Sequence, residues 1–284
     1  MTSRAEYEVL IVRYGKRSTT RSDVFLNYGV YGTPDGPIEM DYFCWVVRNA
    51  DRTVVVDTGF SRAGGAARQR TMLIDPRDAL AGLGVEAADE PTVIVTHAHY
   101  DHIGNLSHFS RSPVVVARAE VDFWAGPYAH RPQFHHSVED AELAVLAGAV
   151  DDGRAILFDD RLQVADGIEV IRVGGHTPGQ AVVLVRTAAG PVLLASDAVH
   201  YYEECEKQMP FVTVASLPDM YAGFDLIGEM VADGTAAHVV SGHDPGTLAR
   251  FTPADGPPGA DVAVIGAGAP GGVRQHTTEE KAEP

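Results

Sequence analysis

Short runs of β-branched and aromatic residues, broken by Gly, Pro and Asp clusters, fill the early part of the chain. YEVLIVR (7–13), the stretch from Val24 to Tyr31, YFCWVV (42–47) and TVVVD (53–57) predict strands. The cluster Gly32-Thr-Pro-Asp-Gly-Pro37 predicts a turn between two of them. From Asp75 the pattern changes. DPRDALAGLG predicts a short helix, PTVIVT (91–96) a strand, and PVVVA (113–117) a strand leading into a helix over ARAEVDFW. In SVEDAELAVLAGAV (137–150), Ser137 stands three residues before Asp140, a capping pattern ahead of helical apolar spacing.

The second half repeats that order. RLQVA (161–165), IEVIRV (168–173), AVVLVR (181–186), PVLLAS (191–196) and AHVVS (237–241) predict strands, while Met220, Phe224, Ile227 and Val231 mark one face of a helix. Strand-rich blocks that end in βα units, twice over, predict an α/β protein of two packed sheets with helices on the outer faces. No repeat of fixed short period is visible. Residues 253–284 break the pattern, with 6 Gly, 5 Pro and no aromatic residue in 32 positions. Such a segment buries too little surface to offset its ordering entropy, which predicts a flexible tail behind a single domain at 1–252. Within it, IGAGAPGG imitates a dinucleotide fingerprint. Pro270 interrupts the would-be helix, and the 13 residues after Gly271 leave no room for the second strand and acidic residue.

Composition narrows the function. The 284 residues are 45% hydrophobic and 21% charged, enough for a full core, and carry a formal net charge of −17. A surface that acidic repels phosphate backbones and anionic headgroups, so neither nucleic acid nor membrane is expected as a partner. Two cysteines, Cys44 and Cys205, make no disulfide framework. With no apolar leader and no long apolar run, the expectation is a soluble cytoplasmic protein, monomer or homodimer, acting on a small neutral molecule.

The 12 histidines decide the chemistry. His97-Ala-His99-Tyr-Asp101-His102 directly follows the strand VIVT, where a rigid scaffold presents side chains into a loop-lined site. Extended backbone at 97 and 99 points both imidazoles to one side, and Asp101 and His102 beyond the turn can face a second ion. His176 in Gly-Gly-His-Thr-Pro-Gly, Asp197 after PVLLAS and His243 in Ser-Gly-His-Asp-Pro each follow a strand. The set is imidazole and carboxylate without thiolate, which suits divalent cations, Zn²⁺ first and Fe or Mn next. Asp57, closing the strand TVVVD, is read as holding a ligand histidine or the metal loop by hydrogen bonds.

HxHxDH followed by His, Asp and His resembles the metallo-β-lactamase superfamily over roughly residues 7–250. The resemblance implies an αββα sandwich with two divalent metals at one edge. One would take His97, His99 and His176, the other Asp101, His102 and His243, with Asp197 bridging and a shared hydroxide as nucleophile. An Asp at the bridging position argues against true β-lactamases, and the acidic C-terminal stretch against glyoxalase II-type thioesterases. The region Tyr28–Tyr42, the HTPG segment and Asp197-Ala-Val-His200 most resemble N-acyl homoserine lactonases. That likeness implies hydrolysis of a lactone, with Phe123, Trp124, Tyr128 and Phe134 as an apolar wall. Those lactonases carry Tyr three residues after the bridging Asp, and here that residue is His200. The expected catalytic groups are therefore His200 and Tyr201 as oxyanion donors and Asp101 as proton carrier. Hydrolysis of another lactone, an ester or a cyclic amide uses the same residues. A mononuclear iron site like that of persulfide dioxygenases is the more distant alternative.

Overall fold

The computed structural model describes residues 5–266. Fourteen strands form two sheets among these residues. The first sheet begins with β1 (Glu8–Thr20), β2 (Pro37–Arg48), β3 (Thr53–Val56), β4 (Thr71–Met72), β5 (Thr92–Ile94), β6 (Val114–Ala117) and β7 (Ala155–Phe158). The second holds β8 (Arg161–Ala165), β9 (Ile168–Arg172), β10 (Ala181–Val185), β11 (Val192–Ser196) and β12 (His238–Ser241). β13 (Thr252–Ala254) and β14 (Asp261–Ile265) return to the first sheet. Its order is β13-β14-β1-β2-β3-β5-β6-β7, with β4 also on β1, and the second runs β12-β11-β10-β9-β8. Pairing is antiparallel around β1 and β2, parallel from β3 through β7, and parallel again between β11 and β12.

Alternation along the strands produces the layers. Val9, Ile11, Phe43, Trp45 and Val54 point inward and meet Ile168, Val170, Val183 and Val192 of the second sheet. Their neighbours Leu10, Val12, Cys44 and Val55 point outward and are covered by helices and loops that include Ala79, Leu80, Leu146 and Ala149. The long helix Leu217–Ala232 covers the opposite face through Met220, Phe224, Ile227 and Met230. Strands buried on both faces read as unbroken apolar runs, which is why TVVVD and PVVVA stood out. The result is the expected αββα sandwich.

Several local expectations change. Val24–Tyr31 is not a strand. Arg21–Val24 makes a helical turn, Asn27 takes a left-handed φ of 51°, and Tyr28–Tyr31 is a 3₁₀ turn. Val24, Phe25 and Tyr28 are buried all the same, and an apolar run alone does not fix the backbone period. The helix Asp140–Asp151 starts from Glu139 with no side-chain cap, because the Ser137 hydroxyl instead meets the His136 ring at 3.1 Å. On the long helix Met230 faces the core, while Val231 is 49% exposed. The short strands β4 and β7 carry no strong sequence signal.

The largest departure is at the C-terminal end. β14 pairs with β1 from Val9↔Ile265 to Arg13↔Asp261, and Val262, Ala263 and Ile265 are buried. The alternating DVAVI at 261–265 finds an open strand edge, which a composition average over 253–284 conceals. The remainder of the expected tail lies outside the described residues. No described helix is long and apolar enough to cross a membrane.

Candidate metal centre

The ligand candidates leave the ends of β5, β9, β11 and β12, so one edge of the sandwich collects them. His99 is extended (φ −69°, ψ 157°) and Tyr100–Ile103 forms a single helical turn. His97, His99 and His176 gather with Asp197, and Asp101, His102 and His243 form an adjoining group, all buried. Asp197 faces both. Its Oδ2 lies 3.3 Å from His176 Nε2 and 3.7 Å from His97 Nε2, and its Oδ1 lies 3.2 Å from His102 Nε2 and 3.1 Å from His243 Nε2. Asp101 reaches toward His243 Nε2 at 3.8 Å and His102 Nε2 at 3.9 Å. Gly242 is required beside Asp197, since a Cβ there would stand 2.7 Å from the Ser196 carbonyl oxygen and 2.8 Å from Asp197 Oδ1.

Hydrogen bonds on the far side of each ring set its tautomer. His176 Nδ1 donates to the Thr213 carbonyl (2.7 Å), His243 Nδ1 to the Asp41 carbonyl (2.7 Å) and His102 Nδ1 to Asp57 Oδ2 (2.7 Å). The Nε2 lone pairs of all three neutral rings therefore point inward. Asp57 also accepts from the Thr96 amide (2.9 Å) and hydroxyl (2.7 Å), and holds a left-handed φ of 58° to do so. The Thr96 hydroxyl is then free to accept from His97 Nδ1 at 3.3 Å.

The interior ends lack protein partners. Nε2 of His97, His102 and His243, together with Asp197 Oδ1, are buried without a hydrogen bond. His99 Nδ1 lies 2.9 Å from His176 Nε2, two ring nitrogens directed at one another. Buried lone pairs left in this way cost stability unless something positive sits among them. The donor set fits divalent cations. Burial, reinforced by neighbouring imidazoles, pushes His97 and His176 well below the usual imidazole range, and burial takes His99 down to about 3. Burial also acts on His102, but Asp197, Asp57 and Asp101 outweigh it and raise its proton affinity. A cation among those carboxylates would take the place of that proton.

His200 belongs to the same cluster. Its Nε2 stands 3.1 Å from Asp197 Oδ2, its ring stacks on Phe211 at 3.8 Å, and its Nδ1 faces Glu204 Oε1 at 3.3 Å. Burial opposes its protonation, yet Asp197 and Glu204 raise it to about 9. Tyr201 is not brought to the centre. The extended backbone at 201 turns the next side chain to the other side, where its hydroxyl donates to the Glu39 carbonyl (3.2 Å) and its ring packs on Phe25. Tyr202 is held elsewhere, with its hydroxyl on the Val239 carbonyl and Arg250 over its ring.

Two buried carboxylates escaped the sequence reading. Glu204 lies four residues beyond His200 on the helix Tyr202–Lys207, a spacing that places it under the ring. Glu120 accepts from the Ala98 amide (2.8 Å) and Trp124 Nε1 (2.8 Å) on one oxygen. Its other oxygen accepts from the Thr177 hydroxyl (2.6 Å) and the Gly179 amide (2.9 Å). It thus ties the loop carrying His97 and His99 to the loop carrying His176. Gly179 permits the approach, since a Cβ there would lie 2.3 Å from Glu120 Cβ. Of the expected apolar wall, Phe123, Trp124 and Phe134 line a small recess beside His99 and His176, while Tyr128 is 65% exposed.

The family model described as "Metallo-beta-lactamase superfamily" matches residues 39–207, more than half of the sequence. The chain belongs to this superfamily. Among curated members, it is similar to an N-acyl homoserine lactonase of Bacillus sp, with 26% identity over 68% of this chain and 74% of the relative. It is also similar to the N-acyl homoserine lactonase AttM of Azorhizobium caulinodans, at 30% over 61% of this chain and 65% of the relative. Solved structures share the superfamily fold. A quorum-quenching N-acyl homoserine lactone lactonase superposes with a TM-score of 0.71 at 20% identity, covering 85% of this chain and 94% of that one. AidC, a dizinc quorum-quenching lactonase, gives 0.67 at 20% identity, over 86% and 89%.

Proposed function

We propose that this superfamily member is a dinuclear metal-dependent hydrolase that opens lactone rings of the kind found in N-acyl homoserine lactones. The observation that carries this reading is the convergence of inward lone pairs on the two oxygens of one carboxylate, Asp197. His97, His99 and His176 would hold one cation and Asp101, His102 and His243 the other, with Asp197 between the two groups. Imidazole and carboxylate donors favour Zn²⁺. Such a pair supplies Lewis acidity and water of lowered pKa.

The protein side chains do the rest. His200 presents Nε2 beside Asp197, where an N–H can donate to the carbonyl oxygen as charge builds on it. Glu204 faces Nδ1 and fixes the ring, and its carboxylate favours the imidazolium form, in which Nε2 also carries a proton to donate. Asp101 is placed to carry the proton to the leaving oxygen. Water adds to the carbonyl, the acyl–oxygen bond breaks, and a ring substrate yields a single hydroxy acid.

The test combines metal analysis with a hydrolysis screen of lactones that vary in ring size and acyl chain. Two metals per chain and ring opening are expected for the natural protein. His97→Ala and His102→Ala each delete one ligand and should lose most bound metal and nearly all turnover. Full activity with two retained metals in either variant would overturn the ligand assignment. Asp101→Asn keeps the shape and loses the proton carrier, so kcat should fall by roughly 10²-fold or more. An unchanged kcat would reduce Asp101 to a ligand.

A further inference from the structure

A cavity of about 230 Å³ opens directly onto the centre, with His99, Asp101, His176 and Asp197 in its wall. Its remaining charged residues are Arg17, Arg68, Arg70 and Asp23. Three arginines around one small cavity are unexpected in a chain of net charge −17. Their hydrogen bonds separate them. Arg68 is consumed by structure, paired with Glu139, bonded to the His136 and Val138 carbonyls and stacked over Tyr100.

Arg70 donates Nε to the Tyr100 hydroxyl (3.0 Å) and Nη1 to the Arg68 carbonyl (2.6 Å), which fixes the guanidinium and leaves Nη2 without a hydrogen-bond partner among the described residues. The guanidinium of Arg17, half-buried on β1, has no hydrogen-bond or ion-pair partner among them. One preoriented and one unengaged guanidinium thus share the cavity with the centre. Divalent cations held by the two carboxylates Asp101 and Asp197 leave that centre positive as well. Among the described residues, exposed Asp23 is the only other acidic group lining it. The cavity concentrates positive potential on an otherwise acidic surface, which draws in anions and focuses them at the reacting site.

We propose that this cavity binds carboxylate-bearing molecules, so that the substrate of the hydrolase carries a carboxylate besides its scissile lactone or ester, with Arg17 and Arg70 as the groups that bind it. The substrate half of the proposal rests on the hydrolase reading above. It replaces the neutral substrate expected from net charge, because a whole-chain sum hides where the positive charges stand. A carboxylate fits the available donors, since a planar guanidinium donates two parallel N–H bonds to its two oxygens. Asp23 at the rim disfavours a dianionic phosphate.

Two measurements on the natural, metal-loaded protein test this. The first compares kcat/KM for γ-butyrolactone with that for the same ring bearing a carboxylate on its γ-carbon. The carboxylated ring should be preferred by about tenfold or more, the scale of a hydrogen bond to a charged group. That ratio should fall with added salt, approach one in Arg17→Gln, drop below one in Arg17→Glu and be partly kept in Arg17→Lys. Arg17 sits half-exposed on a strand, and circular dichroism verifies that each variant is folded. The second measures calorimetric binding of glutarate against its neutral diamide, again with the Arg17 and Arg70→Gln variants.

A ratio near one in the natural protein, or one unmoved by both Arg17→Gln and Arg17→Glu, overturns the proposal. So does glutarate binding no tighter than the diamide. If neither ring opens while glutarate binding depends on Arg17, the hydrolase reading fails and the carboxylate site stands.

Discussion

At the scale of single residues, the three consecutive side chains His200, Tyr201 and Tyr202 face three different surroundings, and only the first meets the centre. His200→Ala should lower kcat by ~10²–10³, the usual loss for an oxyanion donor, while both metals stay bound. Glu204→Gln should lower it less, because the ring remains but its Nδ1 partner is neutral. Tyr201→Phe should leave kcat unchanged and affect only stability, by the roughly 0.5–1.5 kcal/mol of one hydrogen bond. Steady-state kinetics and metal content on the three variants check this, and a loss of turnover confined to Tyr201→Phe would reverse the assignment. The buried His and Asp cluster was legible because its spacing is dense and each group follows a strand. The partners that orient them were not, since Thr213 and Asp41 act through backbone carbonyls, which every residue has.

At the scale of elements, the fold was legible wherever a strand is buried on both faces and reads as an unbroken apolar run. It was lost where an apolar stretch buries itself in turns, as at Val24–Tyr31, and where a strand is very short, as β4. The helix Arg118–Trp124 was predicted, but its function was not. It looked like a carrier of aromatic side chains, and its polar residue Glu120 proves to be the group that joins two ligand loops. Glu120→Gln keeps the size and replaces two acceptor oxygens by one acceptor and one donor, so at least one buried N–H or O–H loses its partner. We expect a loss of about 1.5–3 kcal/mol or more in denaturant unfolding, together with weaker metal retention. Tighter metal binding, or unchanged stability, would show that the tie is dispensable.

At the scale of the whole molecule, the segment from 253 to 266 belongs to the sandwich. Deleting everything from residue 253 removes β14 and uncovers the hydrogen-bonding edge of β1 opposite Val9–Arg13. Burial of a Val or Ile side chain is worth about 1.5–3 kcal/mol, so losing Val262 and Ile265 takes a large part of a typical 5–15 kcal/mol. The truncated chain should be poorly soluble, and a soluble, metal-loaded product would sink this reading. The same pairing has a consequence for synthesis in the cell. β1 precedes the strand that covers its free edge by most of the described sequence, so it leaves the ribosome well before β14 does. In the interval the nascent protein carries an unpaired edge along β1. Closure of that edge waits for release of Ile265, and until then it is open to pairing with another chain.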